Sequence, residues 1–182
     1  AKMLSGGEGG DTDRVAARAA HKTACDGDIP EACFQAGKLF EVGDGGDVDE
    51  AAARELYQRS CEGGQMEACY FLGGMTGAGR GGASDPELAR THFATACDGE
   101  QSEACMHLAR MHRDGVGGDK DPVEARRRFG LACGLGSLSG CVFLGQMQGQ
   151  GSGGPTDTAE ARKNVRRACE GDIMLGCCLL GL

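Results

Sequence analysis

Aromatic side chains are scarce: they make up 4% of the 182 residues, and tryptophan is absent. A single large core built around rings is therefore excluded, and small helices packed on Ala, Leu, Met and Gly are expected instead. Positive charge is also short. The chain has 19 Lys and Arg against 27 Asp and Glu, a formal net charge of −8. That balance speaks against sequence-independent nucleic-acid binding, which depends on neutralising phosphates. No apolar run reaches the roughly 18 residues a membrane-spanning helix requires. The chain opens at Ala1 with neither an initiator methionine nor a signal peptide, as a mature or trimmed form would. Catalytic patterns are missing too: there is no His-Glu-x-x-His, no Gly-x-Ser-x-Gly and no Ser-x-x-Lys.

Cysteine and glycine are plentiful, with 11 and 33 residues. Ten of the cysteines fall into pairs eight positions apart: Cys25 with Cys33, Cys61 with Cys69, Cys97 with Cys105, Cys133 with Cys141, and Cys169 with Cys177. The pairs recur every 36 residues, which marks a repeat array. Cysteines paired at one spacing read as disulfides in an oxidising compartment. Zinc is the rival reading, but its ligand pairs usually stand two to four residues apart and come with a second such pair. No metal or cofactor is expected. The eleventh cysteine, Cys178, follows Phe34, Tyr70, Met106 and Val142 in an apolar column. It is expected to be a free thiol in the core, with a reactive or intermolecular thiol as the alternative.

Laying the units over one another gives two helices per repeat. The first opens at an Asp column (Asp13, Asp49, Asp85, Asp121, Asp157), a preferred N-cap, and Pro86 and Pro122 follow directly. Ala17, Ala53, Ala89, Ala125 and Ala161 come four residues later, and Tyr57, Phe93, Phe129 and Val165 four after that. Together they form an apolar stripe that ends at the first cysteine. The second helix starts near Glu31, Glu67 and Glu103 and carries the second cysteine. A small-residue column follows (Gly37, Gly73, Ala109, Gly145, Gly181), and then a Gly-rich loop. Such a hairpin cannot bury its stripe alone, so neighbours must stack.

The run Glu103-Ala104-Cys105-x-x-Leu108-Ala109-x-Met111-x-x-Asp114-Gly115-Val116-Gly117-Gly118-x-x-Asp121-x-x-x-Ala125-x-x-x-Phe129-x-x-Ala132-Cys133 resembles the Sel1-like repeat. The paired cysteines resemble those of the Helicobacter cysteine-rich proteins. Tetratricopeptide repeats share the plan, but their 34-residue period fits less well. The resemblance implies an all-α, right-handed superhelical solenoid of about five repeats over residues 1–182, with one disulfide per repeat. Ala1-Lys2-Met3-Leu4 aligns with Gly37-Lys38-Leu39-Phe40, and Leu182 also falls in a second helix. Both ends lack a polar capping face, so a longer array, or further polar terminal segments, is expected. An exported scaffold binding a protein or peptide is expected. It would be secreted, periplasmic or envelope-associated, with a mitochondrial intermembrane-space location as the alternative, and monomeric. Penicillin binding or weak β-lactamase activity is implied by the resemblance alone, and binding of cell-wall fragments is a further alternative.

Candidate surface residues are arginines. One follows the Ala column in every unit: Arg18, Arg54, Arg90, Arg126 and Arg162. They could line a carboxylate-binding groove. The favoured reading is a ladder of inter-repeat salt bridges, with Glu31, Glu67 and Glu103 as partners. Arg126-Arg127-Arg128 and Arg166-Arg167 vary between units and suit a partner surface better. Two acidic loops, one with Asp44, Asp47 and Asp49 and one with Asp114, Asp119 and Asp121, hint at calcium, but they lack the spacing and terminal Glu of an EF-hand.

Overall fold

The computed structural model describes residues 11–180, which form ten α-helices and no strand. In chain order they are α1 (Asp11–Asp26), α2 (Pro30–Val42), α3 (Glu50–Glu62), α4 (Met66–Ala78) and α5 (Pro86–Asp98). Then come α6 (Ser102–Asp114), α7 (Pro122–Gly134), α8 (Leu138–Gln150), α9 (Thr158–Glu170) and α10 (Met174–Leu180). The chain divides inside α5 into two compact units, one up to His92 and one from Phe93. Both are built from the same hairpin. The expected positions of Ala1-Lys2-Met3-Leu4, Gly181 and Leu182 in second helices lie outside the described residues.

The caps follow the Asp column. Carboxylates of Asp49, Asp85, Asp121 and Asp157 accept from the backbone N–H three residues on, at 2.9–3.0 Å. The N–H of each of these Asp residues donates back to the last turn of the preceding helix, on Phe40, Thr76, His112 and Gln148, at 2.8–2.9 Å. One side chain thus starts a helix while its backbone fixes the previous one. Asp13 departs from the expectation: α1 already starts at Asp11, so Asp13 lies inside the helix and does not cap it. At the far end, Gly43, Gly79, Gly115 and Gly151 take left-handed φ of 68–76° and close the second helix.

Every cysteine pair eight positions apart is joined. Cys25 is bonded to Cys33 and Cys61 to Cys69. Cys97 is bonded to Cys105, Cys133 to Cys141, and Cys169 to Cys177. Each of the five disulfides ties the end of a first helix to the start of a second, with Cα–Cα separations of 4.5–4.7 Å. Cys69 and Cys141 are fully buried on α4 and α8, whereas Cys177 on the short α10 is only part-buried.

The more extensive packing lies elsewhere, between a second helix and the first helix of the next hairpin: α2 on α3, α6 on α7, α8 on α9. Phe34, Ala53, Tyr57, Ala68, Leu72 and Met75 form one such core, and Ala109, Ala125, Phe129 and Met147 another. The small-residue column sets the spacing. A Cβ on Gly37 would lie 2.8 Å from the Tyr57 ring, and one on Gly145 2.7 Å from Val165. The disulfide therefore pins the weaker of the two interfaces.

One buried group is left unsatisfied. The Thr76 hydroxyl is fully buried and finds no hydrogen-bond partner among the described residues. An orphaned buried donor costs about 1–3 kcal/mol, and valine matches threonine in shape. Thr76→Val is expected to stabilise the protein by about 1 kcal/mol, read as a higher chemical-denaturation midpoint at unchanged slope.

Candidate interaction surface

The repeated arginines fold into clasps. Arg18, Arg54 and Arg126 donate through Nη1 to the backbone carbonyls of Asp47, Ala83 and Pro155, at 2.9, 3.1 and 3.0 Å. Each reaches from the first helix of a hairpin to the Gly-rich loop that leaves its second helix. The guanidinium lies over Gly46, Gly82 or Gly154, where a Cβ would come within 2.5–2.8 Å of Nη1. The expected salt-bridge ladder to Glu31, Glu67 and Glu103 is therefore not formed by these three arginines. The reason is geometric: in an antiparallel hairpin those glutamates sit at the opposite end from the arginine. Glu31 instead accepts from Gln35 and Gln65, and Glu103 from Ser102. Arg90 is half-buried, and Arg162 is exposed on α9.

Arg127 and Arg128 converge on Glu124, with N–O distances of 2.6–2.7 Å. Arg128 is only 11% exposed and also pairs with Asp98 at 2.6 Å, with Nη1 3.4 Å from Cys97 Sγ. Arg126 and Arg128 are thus engaged within their own unit, while Arg127 keeps about half its surface in solvent. Hydrogen bonds from Arg127 first, then Arg128, hold the Glu124 carboxyl down at about 2. A depressed carboxylate stabilises the fold above its ordinary pKa, and the contribution is lost as pH falls from about 4.5 towards 2. Glu124→Gln is expected to cost about 1 kcal/mol at pH 7, allowing for solvent screening, and little at pH 2. Paired urea titrations at the two pH values check this.

Four of the six loop carboxylates are tied up locally. Asp49 and Asp121 are caps, Asp44 faces Arg14 at 3.7 Å, and Asp114 pairs with Arg113 at 2.8 Å. Cys178 is free but exposed, which corrects the expectation of a core thiol. Its counterpart Phe34 is covered by Tyr57 and Phe71 of the next hairpin, whereas no described helix follows α10. A polar chain with no motif in the sequence runs from α3 to the loop after α4. The buried Tyr57 hydroxyl donates to Glu41 at 2.6 Å, and Arg80 bridges Glu41 and Glu50 at 2.7 and 2.8 Å. Burial first, then Glu41, pushes the Tyr57 pKa up.

With the framework accounted for, the exposed face of the second helices stands out. Its residues change from hairpin to hairpin in the column Lys38, Gly74, Arg110 and Gln146, while in the column beside it Phe71 and Phe143 are half-buried against the Tyr57 and Phe129 cores and His107 is exposed. Between α6 and α8 this face opens into a cleft of about 200 Å³ lined by Glu103, Met106, His107, Arg110, Ser137 and Ser139.

The family assignment follows from the repeat itself. Sel1 repeats match residues 30–65, 67–100, 102–137 and 138–172. The chain belongs to the Sel1 repeat family. No curated protein matches it. Among solved structures it is similar to a protective antigen present in uropathogenic Escherichia coli strains displaying an SLR fold. The TM-score is 0.85 at 26% identity, over 90% of this chain and 35% of that one. A Sel1 repeat protein from Oxalobacter formigenes gives 0.77 at 20% identity, covering 89% and 64%. Helicobacter pylori cysteine rich protein B gives 0.58 at 24% identity, covering 72% and 95%. This chain thus spans about a third of the E. coli antigen and under two thirds of the Oxalobacter protein. The Cys-x7-Cys disulfides make it a cysteine-paired Sel1 protein of the kind the sequence suggested.

Proposed function

We propose that this Sel1 repeat protein is an exported scaffold that binds a protein or peptide on the exposed face of its second helices. One observation carries the reading. Residues that hold the hairpins together recur from repeat to repeat, while one column on the second helices does not: Lys38, Gly74 and Arg110 are exposed and Gln146 is half-buried. Within a single chain the repeats act as an internal alignment, and stacking alone would not require a different side chain on each helix. Sel1 repeat proteins generally serve as protein-interaction scaffolds, and repeat arrays recognise partners through such corresponding positions. Five disulfides support an extracytoplasmic location, because reducing compartments keep thiols open.

Affinity capture from envelope and culture fractions tests this, comparing oxidised protein with a reduced, alkylated control. Enrichment of one or two proteins by the oxidised form alone is the expected result. Equal capture by both forms, or none by either, would overturn the proposal.

A further inference from the structure

We propose that the cleft between α6 and α8 binds a peptide carboxylate. The inference rests on the scaffold reading above and names the chemistry of its partner. It begins from a comparison within the chain. Between α2 and α4 the corresponding gap is bridged, because Gln65 Nε2 donates to Glu31 Oε2 and Gln35 donates to Glu31 Oε1. Two repeats later those three positions hold Ser137, Glu103 and His107. Serine is too short to span the gap. Ser137 turns its hydroxyl to the Gly140 N–H instead, at 3.1 Å, and caps α8. Ser139 stands where the earlier gap has Glu67, so bulk and negative charge are removed together. The opening that results is the cleft of about 200 Å³, the size of a small peptide fragment.

Its lining is chemically directed. Glu103, Met106, His107 and Arg110 lie at i, i+3, i+4 and i+7 on α6 and so share one face. Arg110 is exposed, makes no ion pair among the described residues, and rests 5.8 Å from the Phe143 ring. Arg113, one turn away, is by contrast taken up by Asp114. His107 stacks on Phe93 with ring centroids 5.1 Å apart, which walls the cleft. Glu103 stands about 10 Å along the helix axis from Arg110. Two extended peptide residues span about 7 Å, within reach of both side chains. A carboxylate on the Arg110 fork, a peptide N–H on Glu103 and an apolar side chain on Met106 fill the three kinds of lining group at once. The carboxylate can come from a chain terminus or from an acidic side chain.

The test is an NMR titration of the ¹⁵N-labelled oxidised protein, following the Arg110 Nε–H and the Ser137 and Ser139 amides. N-acetyl-leucine supplies a terminal carboxylate, N-acetylglutamic acid α-amide a side-chain carboxylate, and N-acetyl-leucinamide neither. Saturable shifts in the millimolar range are expected with at least one of the first two and not with the third. Which of the two acids binds identifies the source of the carboxylate. Arg110→Gln should weaken binding at least tenfold. Ser137→Gln, which restores the residue found at position 65, should close the cleft and do the same without removing a charge. Absence of saturation up to about 20 mM, or equal binding by both variants, overturns the site. Because partner capture is measured separately, a null titration beside successful capture would sink the carboxylate site and leave the scaffold reading standing.

Discussion

Full reduction of the five disulfides is expected to lower the melting temperature by tens of degrees, and at 37 °C to leave little helical signal. Each bridge closes a loop of about nine residues, worth roughly 2–3 kcal/mol in the chain-entropy model, so the five together reach on the order of 10 kcal/mol. That is comparable with the whole stability of an ordinary domain. The effect should be large here because the bridge sits on the less extensive of the two helix interfaces, where one helix of a hairpin meets the other. The adjoining core is built mostly from Ala and the cysteines themselves: Cys25, Ala32, Cys33, Ala36 and Leu56 make one cluster, and Cys133, Cys141, Val142 and Ala168 another. Removal of a single bridge, as in the double variant Cys97→Ser with Cys105→Ser, should cost about 5–10 °C. Repeats touch chiefly their neighbours, so that loss should broaden the transition as one hairpin opens before the rest. Thermal circular dichroism with and without a phosphine reductant measures both. A reduced protein melting within a few degrees of the oxidised one would show that stacking alone holds the array. In the oxidised state one thiol, that of Cys178, should label promptly, since it is exposed.

What the sequence made legible was whatever a single residue type determines. Asp at a cap, Cys at a fixed spacing, Pro at the first helical position and Ala on a buried stripe each state a local geometry; the caps stand as expected in four repeats, the cysteine pairs and buried Ala in five, and Pro in the two that have it. What it hid depends on main chain or on relief between side chains. The clasps of Arg18, Arg54 and Arg126 end on carbonyls, which every residue has, so no partner column could reveal them. The turn between helices needs a left-handed residue, and Gly64 and Gly136 advertise it. Asp28, Glu100 and Asp172 adopt the same conformation at φ of 57–64° and do not. The α6/α8 cleft was invisible for another reason: it exists because Ser137 fails to bridge, and an absent contact leaves no motif. The one signal the sequence holds for it is a difference between corresponding positions of two repeats, Gln65 in one and Ser137 in the other.

The second large effect concerns the loop on which those clasps close. Gly81→Ala is expected to destabilise the protein by about 2–4 kcal/mol, a fall of roughly 5–15 °C. Two penalties coincide. The residue holds φ at +69°, where an L side chain is strained. Its Cβ would also lie 2.2 Å from the Glu50 carbonyl oxygen and 2.6 Å from the carbonyl carbon. That obstacle is backbone in the first turn of α3, so no rotamer change relieves it. Moving the loop outward would strain the Arg54 bond to Ala83 and the return of the Asp85 N–H to Thr76. Gly45 and Gly153 repeat the arrangement, at 2.4 Å from the Arg14 oxygen and 2.0 Å from the Pro122 oxygen, so the close approach is a property of the repeat. Gly74→Ala supplies the control. It lies inside α4 with nothing within 4 Å of an added Cβ, and helix propensity predicts a gain of up to about 1 kcal/mol. The same substitution should therefore change sign between two glycines seven residues apart. If Gly81→Ala melted within a degree or two of the wild type, the loop would not be held against α3, and the clasp would lose its structural role.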